Sequence, residues 1–388
     1  MKTVFVTGAT GYLGGYTVTR LLRDQPELRL ALLVRGKDER EATEKLWRSL
    51  QLHMDAREFW SAISRIDFVL GDLTSTKLRL GIAPDAYERT VRSVESVLHI
   101  AASLNRKSEK ACLNTNLRGT LAVIELARDV QARGGLRRYS HVSTVAVCGA
   151  RDRETVQEDD AVDWDRSDYD PYGRTKKFCE HMAHVLLPDV QKTIFRPSIV
   201  MGDSTRPETS QFDMVRAFCV LADLPVVPVR AEARQDIVNA DWVGRAIATV
   251  HMKAQPKYDI YHLAAGEQSL PAEAIARELA FAVGKRAPRF VGAAEKPFAS
   301  AAEVMMRFPR KSSVALVGSL LHVFLPYITY DTVFDNTRIV SEIGASPVPF
   351  TAYCAELYRW AKKHEFAYPY AALPARPVLA QSPEVQSV

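Results

Sequence analysis

Short apolar runs alternate with amphipathic stretches through the first two-thirds of the chain. Between the first two runs, Val18, Leu21 and Leu22 recur at helical spacing. This alternation is typical of a parallel sheet with helices on both faces, so the sequence predicts an α/β fold with a doubly wound parallel sheet. Seven runs rich in β-branched and aromatic residues predict its strands, at 3–7, 28–34, 66–70, 96–101, 138–145, 192–195 and 259–263.

The regular pattern loosens in two places. Residues 150–170 include nine acidic residues and three arginines, which predicts a solvated loop. Segment 202–234 contains three prolines and no clear strand. We therefore expect residues 1–201 and 235–266 to form the sheet domain. Residues 202–234 and 267–366 would form a smaller, mostly C-terminal substrate-binding lobe, and 367–388 would form a flexible, proline-containing tail.

The most apolar late segment, 314–328, contains Phe324 and Tyr327. It is interrupted by Gly318 and Pro326 and is too short to span a bilayer comfortably, so no transmembrane segment is predicted. We interpret the segment as a buried helix that lines a pocket and suits a lipophilic chain. A helix in peripheral contact with a membrane surface is the alternative.

Charge and cysteine content exclude several classes of protein. The formal net charge of the 388 residues is only +5 and the basic residues are scattered, so nucleic-acid binding is not predicted. The five cysteines are odd in number and widely spaced, which argues against a disulfide framework or a metal site. Because the chain also starts directly with a strand pattern and shows no secretory signal, we expect reduced thiols and a cytoplasmic location.

A glycine-rich turn follows the first strand and opens the first helix. Glycines at this spacing let the backbone turn tightly, approach a pyrophosphate and pack the helix against the strand. The amides at the start of the helix then face the phosphates. The turn therefore predicts a Rossmann dinucleotide-binding domain, with contacts from Gly8, Thr10, Gly11, Tyr12, Leu13 and Gly14.

The end of the second strand indicates which dinucleotide is bound. An acidic residue there would bind the ribose 2′-hydroxyl, but this chain has Arg35 instead, which suits a 2′-phosphate. NADPH is therefore favoured over NADH, with a solvated arginine as the alternative. After the third strand, Asp72 and Leu73 could reach the adenine. Small residues after the fourth strand, Ala101 and Ala102, allow close approach to the cofactor.

Tyr172 and Lys176 stand four residues apart and would share one face of a helix. Such a pair is common by chance, but here it follows a predicted dinucleotide site, which indicates hydride transfer. A carbonyl that receives a hydride needs a positioned proton donor. Free tyrosine, with a pKa of about 10, is a poor one, and a nearby ammonium group lowers that pKa. Lys177 lies about 100° further around the helix and should point elsewhere.

These elements follow the order found in extended short-chain dehydrogenase/reductases, which the chain resembles over about residues 1–265. The resemblance rests on the glycine turn, on 71–73, 99–102, 116–120 and 143–144, and on Tyr172 with Lys176. Within that superfamily the chain is most similar to the thioester reductase and fatty acyl-CoA reductase branch. Segments 142–144 and 236–241 carry this closer similarity, although Asn239 stands where the branch usually has a proline.

The resemblance implies roles for further residues. Thr144 would bind the substrate carbonyl oxygen, with Ser143 as the near alternative because strand alternation lets only one of them face the site. Lys176 would also bind the nicotinamide ribose. Asn116 would support the site through backbone or water contacts, or else lie on a helix surface. Pro197 would pack against the nicotinamide, or else simply end a buried strand.

The resemblance also implies an activity. We expect an NADPH-dependent reductase of an acyl thioester, carried by coenzyme A or a carrier protein, that yields an aldehyde or an alcohol. One alternative is an NAD(P)-dependent dehydrogenase or epimerase of a sterol-like, β-keto or nucleotide-sugar substrate. Another is a non-catalytic NADPH sensor on the same fold. A homodimer through helices that flank the site is also left open.

Overall fold

The computed structural model describes residues 2–77, 79–160, 162–309, 312–329 and 331–377. Its centre is a seven-stranded sheet in the order β7-β6-β5-β4-β1-β2-β3, with every neighbouring pair parallel. The predicted doubly wound α/β fold is therefore confirmed, and all seven predicted strands are present. The strands are β1 Thr3–Thr7, β2 Arg29–Val34, β3 Ile66–Leu70, β4 Ser96–His99, β5 Arg138–Val142, β6 Lys192–Pro197 and β7 Ile260–Leu263.

Helices cover both faces of the sheet and build the smaller lobe. They are α1 Tyr12–Asp24, α2 Glu39–Leu50, α3 Ala56–Ile63, α4 Pro84–Ser93, α5 Glu109–Cys112, α6 Gly119–Gly134, α7 Pro171–Leu186, α8 Asp213–Ala222, α9 Ala240–Met252, α10 Ala272–Ala282, α11 Glu295–Met305, α12 Ser313–Thr329, α13 Thr337–Ile343 and α14 Cys354–Lys363. Apolar side chains of α1, α2, α3 and α9 pack on one face of the sheet, and those of α4, α6 and α7 pack on the other.

The smaller lobe has an apolar core of its own, formed mainly by α8, α10 and α14. Segment 202–234, expected to lack a clear strand, contains α8 and a two-residue strand, Val226–Val227, which pairs with Arg289–Phe290. Two further pairs of two-residue strands are present: Arg234–Gln235, at the boundary of the two parts, pairs with Leu270–Pro271 of the lobe, and Ile199–Val200 pairs with Ile237–Val238 within the sheet domain. None of the helices in the described ranges combines the length and apolar character that a bilayer crossing requires.

The acidic segment 150–170 is not the fully solvated loop that its composition predicts. Its strand Glu154–Val156 pairs with Thr332–Phe334. The Glu158 side chain is 1% exposed and its two oxygens accept hydrogen bonds from the backbone amides of His262 (2.7 Å) and Arg338 (2.8 Å). Burial raises the pKa of this carboxyl to about 7. The buried amides explain the difference, because an amide removed from water needs an acceptor.

Residues 367–377, the part of the predicted flexible tail that the structure describes, lie against α2 and α3. The indole of Trp47 on α2 donates to the carbonyl of Ala372 (2.9 Å), and that of Trp60 on α3 donates to the carbonyl of Pro374 (3.2 Å). The Ala371 amide donates to Gln51 (2.7 Å). We call residues 367–377 the C-terminal strap. The strap packs against the fold despite its prolines, because its carbonyls accept hydrogen bonds from indole donors. Composition alone does not reveal such contacts.

Candidate active site

A cavity of about 670 Å³ lies at the carboxyl ends of strands β1 to β6. Its position is where doubly wound sheets bind ligands, near the point at which the strand order reverses between β1 and β4. The cavity brings together all of the residues predicted to bind a cofactor. Those lining residues are Gly8, Thr10, Gly11, Tyr12, Leu13, Gly14, Arg35, Asp72, Leu73, Ala101, Ala102, Lys176 and Pro197.

The glycine turn has the geometry that a dinucleotide phosphate site requires. Gly8 has a φ of +79°, and a Cβ atom there would lie 2.6 Å from the Ala101 amide nitrogen. A Cβ atom on Gly14 would lie 1.9 Å from the Gly8 carbonyl oxygen. The first turn of α1 carries no acidic side chain that would repel an anion. These residues therefore fit a pyrophosphate-containing cofactor, because the start of α1 lines the cavity and carries no negative charge.

The residues predicted to contact the adenosine half of the cofactor follow strands β2 and β3. Arg35 follows β2 and its side chain is exposed at the cavity. The Arg35 carbonyl accepts a hydrogen bond from Lys45 Nζ at 2.6 Å. After β3, Asp72 accepts two hydrogen bonds from Thr74, from its amide (2.8 Å) and its hydroxyl (2.9 Å). The Arg35 side chain thus lies at the cavity, and the Asp72 side chain stabilises its own turn.

Helix α7 presents the predicted proton donor. It begins after Asp170, whose Oδ1 accepts from the Gly173 amide at 2.8 Å, and Pro171 occupies its first position, where an amide proton is not needed. Tyr172 and Lys176 both line the cavity from this helix. Lys177 points away, as predicted, with its Nζ 2.9 Å from Asp168 Oδ1.

A buried ion pair fastens the same helix to the sheet. Arg196 on β6 and Glu180 on α7 approach to 2.7 Å, with side chains only 2% and 3% exposed. Pro197 follows Arg196 and faces the cavity, so the two neighbouring residues point to opposite sides of the sheet, as strand geometry requires. The ion pair thereby holds the helix that carries Tyr172 in register with the strand that carries Pro197.

Tyr172 is buried and its phenol is difficult to ionise. Its side chain is 7% exposed, and burial raises its pKa to about 12. The largest opposing contribution is the positive charge of Arg106, followed by a hydrogen bond with Thr144. The pKa of Tyr172 is thus raised by burial and not lowered as the sequence predicts, and the phenol is protonated at neutral pH. The hydroxyl of Thr144 lies beside it, as the resemblance implies.

Lys176 is also buried, and its Nζ donates to the carbonyl of Val142 at 2.6 Å. Burial lowers its pKa. Two histidines lie behind it in the sheet: burial, with a further contribution from Lys176, lowers the pKa of His99 to about 3 and that of His141 well below its usual value. Both imidazoles are therefore neutral and add no positive charge beside Lys176.

Ser143 and Thr144 both line the cavity, although strand alternation predicts that only one of them faces the site. The reason is that β5 ends at Val142, so the alternation does not extend to them. Thr144 begins a 3₁₀ turn, Val145–Cys148, and its Oγ1 accepts from the Ala146 amide at 3.2 Å. Ser143 is buried and its hydroxyl has no hydrogen-bond partner among the described residues.

Asn116 is absent from the described residues that line the cavity. It lies in a π-helical turn, Leu113–Arg118, and is 1% exposed. Its Oδ1 accepts from the Ser103 amide (2.7 Å), while its Nδ2 donates to Thr175 Oγ1 (3.1 Å). Asn116 therefore connects the loop after β4 to the residue before Lys176. These contacts favour a positioning role for it over contact with a reacting atom.

Sequence patterns did not reveal a second cation at the site. The guanidinium carbon of Arg106 lies 5.1 Å from the ring centroid of Tyr172 and 5.0 Å from that of Tyr327. Tyr327 lies on α12, the predicted pocket-lining helix, and faces the cavity as expected, while the side chain of Phe324 lies outside the described residues. Arg106 sits in an irregular loop and offers no spacing signal. Asp170, by contrast, stands directly before a proline at the start of a helix, and this position identifies it as a helix cap from sequence.

The fold and the site together define the class: an extended short-chain dehydrogenase/reductase with a site for a nicotinamide dinucleotide. The family model described as male sterility protein, an NAD-binding family, matches residues 6–247. The chain belongs to this family. The resemblance noted in the sequence is thereby confirmed.

Individual relatives agree with this assignment. Drosophila melanogaster CG8303, whose name describes a fatty acyl-CoA reductase, is 27% identical over 235 residues, which is 53% of this chain and 42% of the relative. The L-2-aminoadipate reductase large subunit of Penicillium chrysogenum is 28% identical over 230 residues, 55% of this chain and 16% of that protein. The chain therefore spans less than half the length of either relative.

Among solved structures, the terminal R domain from the myxalamid PKS-NRPS biosynthetic pathway superimposes with a TM-score of 0.78. The match covers 94% of this chain and 92% of that domain at 21% sequence identity. At this identity the likeness shows the shared fold. It extends the similarity beyond the region matched by the family model, because it includes most of the smaller lobe.

Proposed function

We propose that this protein is an NADPH-dependent reductase of an acyl thioester, carried by coenzyme A or by a carrier protein, and that it forms an aldehyde or an alcohol. The observation that carries the proposal is the convergence of Tyr172, Lys176 and Thr144 on the same cavity as the glycine turn. The names of the relatives, one an acyl-CoA reductase and one an aminoadipate reductase, support a thioester substrate.

The side chains account for the polar steps of such a reduction. When bound, the cofactor supplies the hydride. Tyr172 gives its proton to the oxygen that gains negative charge, and the hydroxyl of Thr144 donates a hydrogen bond to the same oxygen. Lys176 holds positive charge beneath the site and would bind the nicotinamide ribose. Addition to a thioester gives a hemithioacetal, which collapses to an aldehyde and a free thiol.

The preference for NADPH rests on Arg35, and Arg35→Ala tests it. We expect the KM for NADPH to rise about tenfold to a hundredfold, since a hydrogen bond to a charged group contributes about 1.5–3 kcal/mol. The KM for NADH should hardly change. Arg40→Ala is the matched control, because the Arg40 side chain is 86% exposed and pairs with Glu44 on the helix surface. An equal effect on both cofactors would contradict recognition of the 2′-phosphate.

A substrate panel tests the activity. Purified protein is incubated with NADPH and, in parallel, with long- and medium-chain acyl-CoA thioesters, acyl pantetheines, aldehydes, ketosteroids and nucleotide sugars, and absorbance at 340 nm is followed. We expect oxidation of NADPH with thioesters and release of a free thiol, which a thiol reagent detects. Turnover of only ketones or nucleotide sugars would replace the proposal with the dehydrogenase or epimerase alternative. Cofactor binding without any turnover would favour the sensor.

A further inference from the structure

Four side chains from three separate parts of the chain meet at the proton donor. We call Arg106, Asp170, Tyr172 and Tyr327 the Arg106 cluster. Arg106 comes from the loop after β4, Asp170 and Tyr172 from the start of α7, and Tyr327 from α12 of the smaller lobe. The guanidinium group lies against both phenol rings, with its carbon 5.1 Å and 5.0 Å from their centroids.

Asp170 connects the members of this cluster. Its Oδ1 accepts from the Gly173 amide and so caps α7. Its Oδ2 accepts from the Tyr327 hydroxyl at 2.7 Å and lies 3.4 Å from Arg106 Nε. One carboxylate thus fixes the first turn of the helix that carries Tyr172 and also holds the arginine and the lobe helix next to it.

The cluster is sheltered enough for its charges to act on the phenol. The side chains of Arg106 and Asp170 are 17% and 11% exposed, so solvent screens their interactions less than those of surface pairs. Lys176 donates to the Val142 carbonyl, and Arg106 makes the largest contribution that opposes the effect of burial on the Tyr172 pKa. A planar guanidinium group stacked on a ring also restricts how that ring can turn.

We propose that Arg106, held in place by Asp170 and Tyr327, is a positioning residue that keeps positive charge against the phenol of Tyr172 and so makes proton donation depend on the seating of α12. This inference rests on the proposed function in taking Tyr172 as the proton donor. The positive charge that was expected from Lys176 alone is then supplied by two residues. Lys176 lies below the site, and Arg106 lies at the wall that the smaller lobe completes.

Several other groups face the phenol and enter any interpretation of its ionisation. Asp170, at the start of its own helix, and Cys112 on α5 both raise the Tyr172 pKa. Thr144, after β5, lowers it through a hydrogen bond. Loss of the Tyr327 hydroxyl would remove a hydrogen bond that offsets the negative charge of Asp170 and would leave Arg106 less firmly held, and both changes would make the phenol harder to ionise.

The first experiment follows ionisation directly and needs no substrate. The full chain is produced with difluorotyrosine, whose phenol ionises at a pH where proteins remain folded, and is titrated by ¹⁹F NMR. The Tyr172→Phe variant identifies the resonance. We expect Arg106→Gln to raise its midpoint by about one pH unit and Arg106→Lys to raise it less. Tyr327→Phe should shift it in the same direction. The control Lys110→Gln removes an exposed cation of α5 and should leave it unchanged.

An unshifted midpoint in a folded Arg106→Gln protein would overturn the inference, whatever the enzyme turns over. The second experiment is a double-mutant cycle on kcat, run with the best substrate of the panel. We expect Arg106→Gln to lower kcat about tenfold in the wild-type background, with little change in KM, and to have almost no effect in the Tyr172→Phe background. Equal losses in both backgrounds would show that Arg106 acts through the fold and would reject the inference.

The two proposals fail in different ways. If no thioester is reduced, the proposed function fails, and the NMR titration still decides whether Arg106 acts on Tyr172. If thioesters are reduced and the midpoint does not move, the proposed function stands and the role of Arg106 is rejected. Circular dichroism and the stoichiometry of NADPH binding establish that each variant is folded before either comparison.

Discussion

Tyr172 takes its chemical character from groups that lie far from it in the sequence. Arg106 and Thr144 precede it on other elements, and Tyr327 belongs to the smaller lobe. A buried phenol with a pKa of about 12 is a weak acid, so each nearby positive charge or hydrogen bond improves it as a donor. Under the proposed function, proton donation by Tyr172 therefore depends on groups from three other parts of the chain.

Replacing Tyr172 with Phe removes the donor and retains the ring. We expect kcat to fall by about a hundredfold to ten-thousandfold, the usual contribution of a positioned acid, because the oxygen must then take its proton from water. Affinity for NADPH, measured by fluorescence titration, should stay within about twofold. Tyr258→Phe, at a half-exposed tyrosine outside the cavity, is the control. Undiminished kcat would rule out Tyr172 as the acid.

Some residues of the site can be predicted from sequence because their signals are local. Gly8, Gly11 and Gly14 follow a strand at fixed spacing, and Tyr172 with Lys176 share one helix face. Arg106 carries no such signal, since its contacts with Tyr172 and Tyr327 exist only after the lobe has packed. Asn116 was expected either to support the site or to lie on a helix surface, and its hydrogen bonds to Ser103 and Thr175 depend on a π-helical turn that sequence does not indicate.

At the scale of elements, the seven strands of the sheet were predictable because they fall in short runs rich in β-branched and aromatic residues that alternate with helical patterns. The two-residue strands were not, since pairs such as Arg234–Gln235 with Leu270–Pro271 arise from tertiary contact and leave no periodicity. Helix α7 is the element on which the site depends most. It is capped by Asp170 at its start and held to β6 by Glu180 and Arg196 further along.

Glu180→Gln should loosen this attachment. The change leaves the Arg196 cation buried without its carboxylate, which typically costs about 3–5 kcal/mol in the free energy of unfolding. Urea denaturation followed by circular dichroism measures the loss. Glu44→Gln breaks an exposed pair with Arg40 and should cost less than about 1 kcal/mol. Similar losses in the two variants would mean that the buried pair does not anchor α7.

Glu158 predicts a dependence of stability on pH. Its pKa is raised from 4.5 to about 7 by burial, so between these values the folded protein binds more protons at this site than the unfolded chain does. Its contribution to stability is therefore greatest below pH 4.5 and is lost as the pH rises to about 7. Relative to Glu158→Gln, whose side chain does not titrate, the wild type should become less stable over this range. Urea titrations measure the free energy of unfolding of both proteins at pH 5 and pH 7.5. The same difference between wild type and Glu158→Gln at both pH values would contradict this.

At the scale of the whole molecule, residues of both the sheet domain and the smaller lobe line the cavity. The glycine turn and the strand ends form one wall, while Tyr327 on α12 and residues that follow it, such as Phe334, form another. The smaller lobe is therefore a structural part of the site. The C-terminal strap crosses back in the other direction and completes the surface of the sheet domain on α2 and α3.

Truncation after Phe366 removes this strap. We expect the free energy of unfolding to fall by about 3 kcal/mol, because the indoles of Trp47 and Trp60 and the side chain of Gln51 lose their backbone partners at about 1 kcal/mol each. Tryptophan fluorescence should shift to longer wavelength as the indoles meet water. Truncation after Pro377 keeps every one of these contacts and is the control. An equal loss in both truncated proteins would contradict the contribution of the strap.

The C-terminal strap also affects how the protein folds during synthesis. Trp47 and Trp60 leave the ribosome more than 300 residues before Ala372 and Pro374, which accept their hydrogen bonds. Until then the nascent nucleotide-binding half carries two uncovered indoles on its surface. A ribosome that stalls before the strap is made therefore holds a chain with an assembled glycine turn and an exposed apolar patch, which is the kind of surface that chaperones recognise.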